Sequence, residues 1–247
     1  MIAYKFLSAG AVGLYSGFRW PVPSNGEPGP WVHVDGPLVA GVSGVHALSA
    51  RELVNWLDDE LWLIELAGQI EEQEGLLIAR RGRLLRLVDA WGSATAVAFT
   101  KDCVCRTREW AIEALRRAGR AGDADTVRDL NDTDVLQDRV AALSTTAAGF
   151  AADALAYVAD AIELARGGRP DRYRAHPGLA FPASPGAIAA NLGFAAAHAA
   201  ASSVADATGD PGQYEVGFER EREHQRAWLT KHLGLLESGL EDLVERM

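Results

Sequence analysis

The first 75 residues alternate between short apolar runs and turn clusters. The apolar runs are "IAYKFL" from Ile2, "WVHV" from Trp31, "ELWLIELAGQI" from Glu60 and "GLLIAR" from Gly75. The turns between them are rich in glycine and proline, as in "PVPSNGEPGP". Short apolar runs bounded by such turns are typical of β-strands, because glycine and proline interrupt helices. The pattern therefore predicts a strand-rich N-terminal domain.

One short helix is predicted within this domain, beginning after Ser49. Ser49 and Glu52 have the S-x-x-E spacing of a capping box, in which each side chain bonds the backbone of the other residue. The helix is expected to end at the acidic run Asp58 to Glu60, because carboxylates are unfavourable at a helix C-terminus. His46 would then lie just before a helix N-terminus, where the local field favours a neutral imidazole.

From the segment "RRGRLLRLVDAW" onward, apolar residues recur at helical spacing. The spacing predicts a helix ending at Gly119, a short helix from Asp123 and a long helix from Thr133 to Gly167 with a kink at "STTAAGF". Two further helices follow, one capped by Ser184 and one opened by "DPGQ". The proline-rich segment "GGRPDRYRAHPGLAFPASPG" before them is expected to be a non-helical crossover.

These patterns together predict an α+β chain with two regions. Residues 1–75 form the strand-rich domain with its short helix, and residues 76–247 form an antiparallel α-helical bundle of four or five helices. Alanine on most faces of the helix after Ser184 indicates close packing between helices. With 247 residues and 48% hydrophobic positions, the chain is long enough to bury an ordinary core.

The charge of the chain restricts its partners. The formal net charge is -10 and the pI is near 5.1. Nucleic acid and anionic membranes require a basic face, so neither is expected as a partner, whereas a basic protein is. The sequence has no apolar run of about eighteen residues and no signal-peptide pattern at its start, so a cytoplasmic location is expected.

The two cysteines, Cys103 and Cys105, have C-x-C spacing. On a helix their side chains would point about 200° apart, so neither a disulfide nor a shared metal ion is expected. We interpret both as buried structural thiols.

His46 is the first candidate for chemistry. A neutral imidazole at this position would act as a hydrogen-bonding group or general base if Glu65 or Glu71 lay beside it. The three residues are the predicted catalytic set. The favoured alternative is a structural histidine, because a lone histidine without a visible partner more often has that role.

The basic segment "ARRGRLLR" is the second candidate, as a site for a small anionic ligand. The predicted ligand-binding residues are Arg80, Arg81, Arg83 and Trp62, with Arg81 and Arg83 as an anion clamp. A position at or near a helix N-terminus would favour phosphate or carboxylate there. Exposed arginines that balance neighbouring acids are the alternative interpretation.

Glu221 and His224 form an E-x-x-H motif in the last predicted helix and are the predicted metal ligands. Di-iron bundles use this motif twice with two further glutamates, whereas here it is found once. His176, His198 or Asp206 would have to complete the site, and a solvated charged face is the simpler interpretation. The sequence contains no G-x-S-x-G, P-loop or H-E-x-x-H motif, which lowers the expectation of an enzyme.

Several motifs resemble an uncharacterised family of actinobacterial proteins: "YKFL", "SGFRW", "GVHA", "WLDDELW", "ELAG", "RGRLLRLV" and "EREREHQRAWLTKHLGL". A more distant similarity is to phage proteins with a "GFHAC"-type element, in which a cysteine follows the His-Ala pair. Leu48 stands at that position here, so a thiol beside His46 is not implied. The alanine-rich second half resembles helical immunity proteins of bacterial toxin systems, and the Tyr4-Lys5 strand with later glutamates has a remote similarity to ADP-ribosyltransferases.

Three functional classes follow from these observations. The first is a non-catalytic, immunity-like binding protein whose carboxylates recognise a basic protein. The second is an enzyme or small-molecule binder that uses a cleft between the two regions, with His46 and the arginine clamp as its groups. The third is a helical metalloprotein at Glu221 and His224. The sequence does not identify a cofactor or an oligomeric state.

Overall fold

The computed structural model describes residues 1–168, 170 and 184–235. The chain has an α+β fold in which a small four-stranded antiparallel barrel is followed by a multi-helix bundle, so the predicted fold class is confirmed. Among the described residues, one compact unit contains Met1–Ala96 together with residues 226–235, and the other lies within Val97–Gln225.

Five strands form the sheet: β1 (Ile2–Leu7), β2 (Val32–His33), β3 (Val45–Leu48), β4 (Glu60–Gln73) and β5 (Leu76–Leu87). Strand β1 pairs with β3 and β4, and β5 also pairs with both, so these four strands close into a barrel. Strand β2 pairs with β5 outside this ring. All of these pairings are antiparallel, and β1 covers the first half of β4, from Glu60 to Glu65.

The hairpin between β4 and β5 turns at Glu74 and Gly75, whose φ angles are both positive, at 52° and 77°. Such a turn matches the right-handed twist of the flanking strands. The helix predicted from Arg80 is wrong, because Arg80 to Leu87 continue β5 and pair with β4. Strand pairing here outweighs an apolar spacing that also fits a helix. Strand β5 therefore lies beyond residue 75 and within the first compact unit.

The barrel interior is filled by small and branched apolar side chains. Its buried members include Ala3, Leu7, Val45, Ala47, Ile64, Leu66, Leu77, Ala79 and Leu84. Gly82 also faces this interior, because a Cβ atom built there would lie 2.6 Å from Val45 Cγ1. A glycine at this position allows the strands to approach closely.

The predicted capping box after Ser49 is wrong in its details. The segment is a 3₁₀ helix, Ala50–Asn55, and the Ser49 side chain makes no capping hydrogen bond. The Glu52 amide instead donates to the Ser49 backbone carbonyl, and the Glu52 carboxylate accepts from Asn55 Nδ2 at 2.8 Å. His46 lies in β3, three residues before Ser49, so no helix terminus determines its environment.

The described residues after the sheet form six α-helices: α1 (Ser93–Arg117), α2 (Ala121–Asp129), α3 (Thr133–Ser144), α4 (Phe150–Ala165), α5 (Pro185–Thr208) and α6 (Tyr214–Leu233). The long helix predicted from Thr133 is divided into α3 and α4 at the predicted kink, where Gly149 has a φ of 57°. Ser184 caps α5 as predicted, because its Oγ accepts from the Ala187 amide. Most of the predicted proline-rich crossover, including His176, lies outside the described residues.

Helices α1 to α4 share a core that includes Leu115, Val127, Val140, Leu155 and Val158. Cys103 is buried as predicted, but Cys105 is exposed. Residues two positions apart on a helix point about 200° apart, so the two thiols lie on different faces.

Close packing of the alanine-rich helix α5 is confirmed. A Cβ atom at Gly217 in α6 would lie 2.8 Å from Ala201 Cα in α5, so the two backbones come nearly into contact. Within the described part of the chain, α5 alone is long and apolar enough to cross a membrane, and 50% of its most apolar window is buried inside the protein.

Candidate ligand-binding cavity

A cavity of about 390 Å³ opens in the N-terminal unit. Residues of β1, β2 and β3 line it, together with the loop after β1 and the loop before β3. We call it the barrel cavity, and its principal lining side chains are Lys5, Tyr15, Phe18, Trp20, Val42 and Trp56. Its volume falls within the range of about 300 to 1,000 Å³ that small-molecule sites occupy.

The cavity lies where β1 and β3 separate. The two strands pair at Tyr4 and Leu48, the last residue of β3. Nearer the start of β3, a side-chain contact takes the place of backbone pairing with β1. There the Lys5 ammonium donates to the His46 backbone carbonyl, with a nitrogen to oxygen distance of 2.6 Å. Lys5 thus spans the gap between two strands of the barrel.

Lys5 projects toward the barrel interior because of strand alternation. Ala3 and Leu7, two residues to either side, belong to the interior core, so Lys5 shares their face. The Lys5 Nζ atom lies 4.9 Å from the centre of the Trp20 ring, a cation–π geometry. Burial lowers the pKa of Lys5 to about 8. A partly neutral amine is therefore present in the cavity near physiological pH.

The wall of the cavity has a distinct charge character. Within the part of the chain that the structure describes, its lining residues include no aspartate and no glutamate, although the whole chain carries 34 acidic residues. Its titratable members are Lys5, Tyr15, His33 and His46. The cavity therefore disfavours a cationic occupant in a protein whose net charge is -10.

The rim of the cavity exposes apolar side chains to solvent. Tyr15 is 86% exposed, Val42 is 79% exposed, and Phe18 is also exposed. Two edge-to-face aromatic pairs hold this rim, Tyr15 with Trp56 at 6.0 Å and Phe18 with Trp20 at 5.6 Å between ring centres. A cavity and an exposed apolar patch therefore coincide on one face of the barrel.

His46 lines the same cavity, but its ring already has a structural contact. The Nε2 atom of His46 accepts from the Gly41 amide at 3.0 Å, which holds the loop before β3. Burial lowers the pKa of His46, and the nearby Lys5 charge lowers it further. The lowered pKa favours the neutral imidazole, and burial rather than a helix N-terminus is its main cause.

The two glutamates predicted as partners of His46 lie elsewhere on the sheet. Glu65 is opposite Arg83 in the register of β4 and β5, and its Oε2 accepts from Arg83 Nε at 2.7 Å. Glu71 accepts from Gln73 Nε2 at 2.7 Å. Ile78 is the register partner of both Glu71 and His46, so a buried isoleucine lies between those two residues.

The predicted arginine cluster lies on β5 rather than at a helix N-terminus. The guanidinium carbons of Arg81 and Arg83 lie 5.0 and 4.6 Å from the centre of the Trp31 ring, so both stack on one indole. Arg80 packs beside Gly68 in β4. The three arginines are not lining residues of the barrel cavity.

Trp62, the fourth predicted ligand-binding residue, lies at a second cavity of about 300 Å³. Its Nε1 donates to Glu60 Oε2 at 2.9 Å, and the same carboxylate accepts from the backbone amides of Gly10 and Ala11. These contacts hold the loop after β1 against β4. Trp20 lines both cavities.

Glu221 and His224 lie on α6 with separate partners. The Glu221 side chain is 0% exposed and its Oε2 accepts from Arg106 Nη2 at 2.8 Å. The Nε2 atom of His224 lies 3.0 Å from Asp102 Oδ2. Among the described residues, no group of three or more histidine, cysteine or acidic side chains is arranged to hold a metal ion. The predicted metal site stays a prediction.

Sequence reasoning did not single out Lys5 as a cavity residue. The available signal was a lysine at the inward position of an otherwise apolar strand, "IAYKFL", between Ala3 and Leu7. A charged residue at such a position is uncommon unless it is paired or functional. The cavity itself had no sequence signal, because its walls come from segments as distant as Lys5 and Leu76.

Comparison with known proteins identifies no relative: no protein-family model, curated protein or solved structure matches the chain. The resemblance to actinobacterial proteins and to helical immunity proteins therefore stays a prediction.

Proposed function

We propose that the N-terminal barrel is a non-catalytic binding module for a small, largely apolar molecule, which occupies the barrel cavity. The observation that carries this proposal is the coincidence of the cavity with the exposed rim of Tyr15, Phe18 and Val42. Contiguous exposed apolar side chains around a concave site are a feature of ligand-binding surfaces in soluble proteins.

The energetic reason is the removal of apolar surface from water. Covering apolar surface contributes roughly 25 cal/mol per Å², so a ligand that contacts the rim and fills the cavity gains affinity without strong polar contacts. Four aromatic rings provide flat surfaces for an aromatic or planar ligand. They belong to Tyr15, Phe18, Trp20 and Trp56.

The charge of the cavity narrows the ligand class. Lys5 provides N–H donors inside the cavity, and none of the described lining residues carries a carboxylate side chain. A ligand with one oxygen acceptor, such as a hydroxyl, carbonyl or carboxylate, satisfies these donors. A cationic ligand would meet a lysine with no compensating charge beside it.

Binding is favoured over catalysis by the contacts of His46. Its Nε2 lone pair is occupied by the Gly41 amide, and Ile78 separates it in the register from Glu71. A general base needs a free lone pair directed at the substrate. The predicted recognition of a basic protein by helical carboxylates also stays a prediction, and the barrel cavity offers a more specific site.

The test is binding of naphthol, an uncharged aromatic probe, measured by calorimetry and by quenching of tryptophan fluorescence. The variant Val42→Arg places a long charged side chain at the rim, and Val135→Arg is its control, because Val135 is an exposed valine of α3 outside the cavity. We expect naphthol to bind with a sub-millimolar Kd, and Val42→Arg to weaken binding at least about tenfold, or 1.4 kcal/mol. Absence of binding, or equal binding by both variants, would contradict the proposal.

A further inference from the structure

The barrel cavity contains a reactive type of side chain as well as a binding surface. Lys5 Nζ has one fixed contact, the His46 carbonyl at 2.6 Å, and the Trp20 ring covers it at 4.9 Å. The His46 carbonyl orients the amine, and the indole shields it from bulk water. No acidic residue within the described part of the chain lines the cavity, so no lining carboxylate holds Lys5 in its ammonium form.

The choice of lysine at this position has a chemical consequence. Arginine accounts for 21 of the 24 basic residues of the chain, and the three lysines are Lys5, Lys101 and Lys231. A guanidinium would make a comparable hydrogen bond and cation–π contact, but it remains charged at every accessible pH. Lysine is the basic residue that loses its proton on burial and then becomes a nucleophile.

We propose that Lys5 forms an imine with the carbonyl carbon of an aldehyde or ketone ligand bound in the barrel cavity. This inference rests on the proposed function, because the cavity must first hold the ligand. The neutral Nζ donates its electron pair to the carbonyl carbon and a carbon–nitrogen bond forms, while the carbonyl π bond breaks, its electrons move to oxygen, and that oxygen takes up a proton from the nitrogen. The resulting carbinolamine loses its hydroxyl group and a nitrogen-bound proton as water, so the products are an imine and one water molecule. No electrons are exchanged with a third species.

The surroundings of Lys5 support each requirement of this step. Burial lowers the pKa of Lys5 to about 8, so a substantial neutral fraction exists at mildly alkaline pH. The apolar walls place a planar ligand against the tryptophan rings, close to the amine. Water released on imine formation leaves through the open rim at Val42, which is 79% exposed.

The test is reductive trapping with naphthaldehyde and cyanoborohydride, followed by proteolysis and peptide mass spectrometry. Cyanoborohydride delivers hydride to the imine carbon and converts the reversible bond into a stable secondary amine. The two other lysines, Lys101 and Lys231, are exposed and act as controls within the same digest. We expect labelling of Lys5 to exceed theirs at least about tenfold, because binding raises the local concentration of the aldehyde. Its rate should level off near pH 8, the pKa of Lys5.

Three variants complete the design. Val42→Arg should reduce labelling of Lys5 while leaving Lys101 unchanged, since the rim is blocked. Lys5→Met should lose the adduct, whereas Lys101→Met, at an exposed position outside the cavity, should leave the labelling of Lys5 unchanged. Labelling of Lys5 no faster than that of Lys101 and Lys231 would overturn the imine. If naphthol still binds in that case, the proposed function stands; if naphthol does not bind, both proposals fail.

Discussion

The barrel and the helical bundle each contain a partly buried basic side chain, but the partners of the two charges differ. In the bundle, Arg106 lies against the fully buried carboxylate of Glu221 and also bonds Glu109. In the barrel, Lys5 has a carbonyl and an indole ring as partners and lies at an open cavity without acidic lining. The first arrangement is an ion pair between two helices, and the second places an amine in the wall of a cavity.

This contrast separates a structural charge, that of Arg106, from the charge of Lys5, to which we assign a function. A buried ion pair is costly to break because the remaining partner has lost its solvation without compensation. A buried lysine without a counter-ion instead lowers its own pKa and destabilises the fold while it is charged. Removing the structural charge should therefore destabilise the protein, whereas removing the functional charge should stabilise it.

The largest expected effect is in the bundle. Glu221→Ala should lower the free energy of unfolding by about 3 kcal/mol, because Arg106 is left with an uncompensated, partly buried charge. Urea unfolding measures this change. Glu109→Ala is the matched control, since Glu109 binds the same arginine but its side chain is 60% exposed. It should cost less than about 1 kcal/mol. If the two variants lost equal free energy of unfolding, burial of the carboxylate would not decide how much each partner of Arg106 contributes.

A smaller effect of opposite sign is expected in the barrel. Lys5→Met should raise the free energy of unfolding at pH 7 by about 1–2 kcal/mol, because it removes a desolvated ammonium at the cost of one hydrogen bond. Lys101→Met, at an exposed position, should change stability by less than about 0.5 kcal/mol. Destabilisation by Lys5→Met would instead make Lys5 a structural bridge between β1 and β3.

The pH dependence of the Lys5→Met effect sharpens the same prediction. The folded-state pKa of Lys5 is about 8 and its ordinary value is 10.5, so between these values the unfolded chain binds the proton that the folded chain has lost. Wild-type stability therefore rises with pH across this window relative to Lys5→Met. The advantage of the variant should be full below pH 8 and should decline toward pH 10.5. Chemical unfolding of both proteins at several pH values measures the difference.

The smallest expected effect concerns His46. His46→Ala should lower the free energy of unfolding by about 1 kcal/mol, because the Gly41 amide loses its acceptor. His33→Ala is the control, since His33 lines the same cavity but is exposed. Thermal unfolding measures both. If His46→Ala left the free energy of unfolding unchanged, the contact with Gly41 would not be structural, and His46 would again be a candidate general base.

The His46 effect also has a defined pH direction. Its folded-state pKa is lowered, so as pH falls below 6.5 the unfolded chain takes up the proton first. The contribution of His46 is therefore present above pH 6.5 and is lost as pH falls toward the lowered value. The gap between wild type and His46→Ala should narrow in acid.

Much of the fold follows from local signals in the sequence. The strand at Ile2, the turn at Glu74 and Gly75, and the start of α5 at Ser184 were each predictable, because alternation, positive φ and side-chain capping depend on neighbouring residues. The same local reasoning failed for the second half of β5, where helical spacing and strand pairing compete and only the partner strand decides.

The candidate site was beyond sequence reasoning for a related reason. The sequence suggests Glu65 and Glu71 as partners of His46 because they lie on the following strand. The register of the sheet instead pairs Glu65 with Arg83 and places Ile78 between Glu71 and His46. Lys5 was overlooked, since its importance arises from a contact 41 residues away.

The sequence by itself determined an acidic α+β chain, its principal strands and the starts of several helices, because these depend on composition and on contacts within a few residues. The tertiary structure alone decided which strands close the barrel, where β1 and β3 separate, and which buried cation acquires a carboxylate. These features depend on register and burial between distant segments, such as Arg106 and Glu221, 115 residues apart. No local sequence pattern determines whether a partly buried charged side chain contacts an oppositely charged group or lines a cavity.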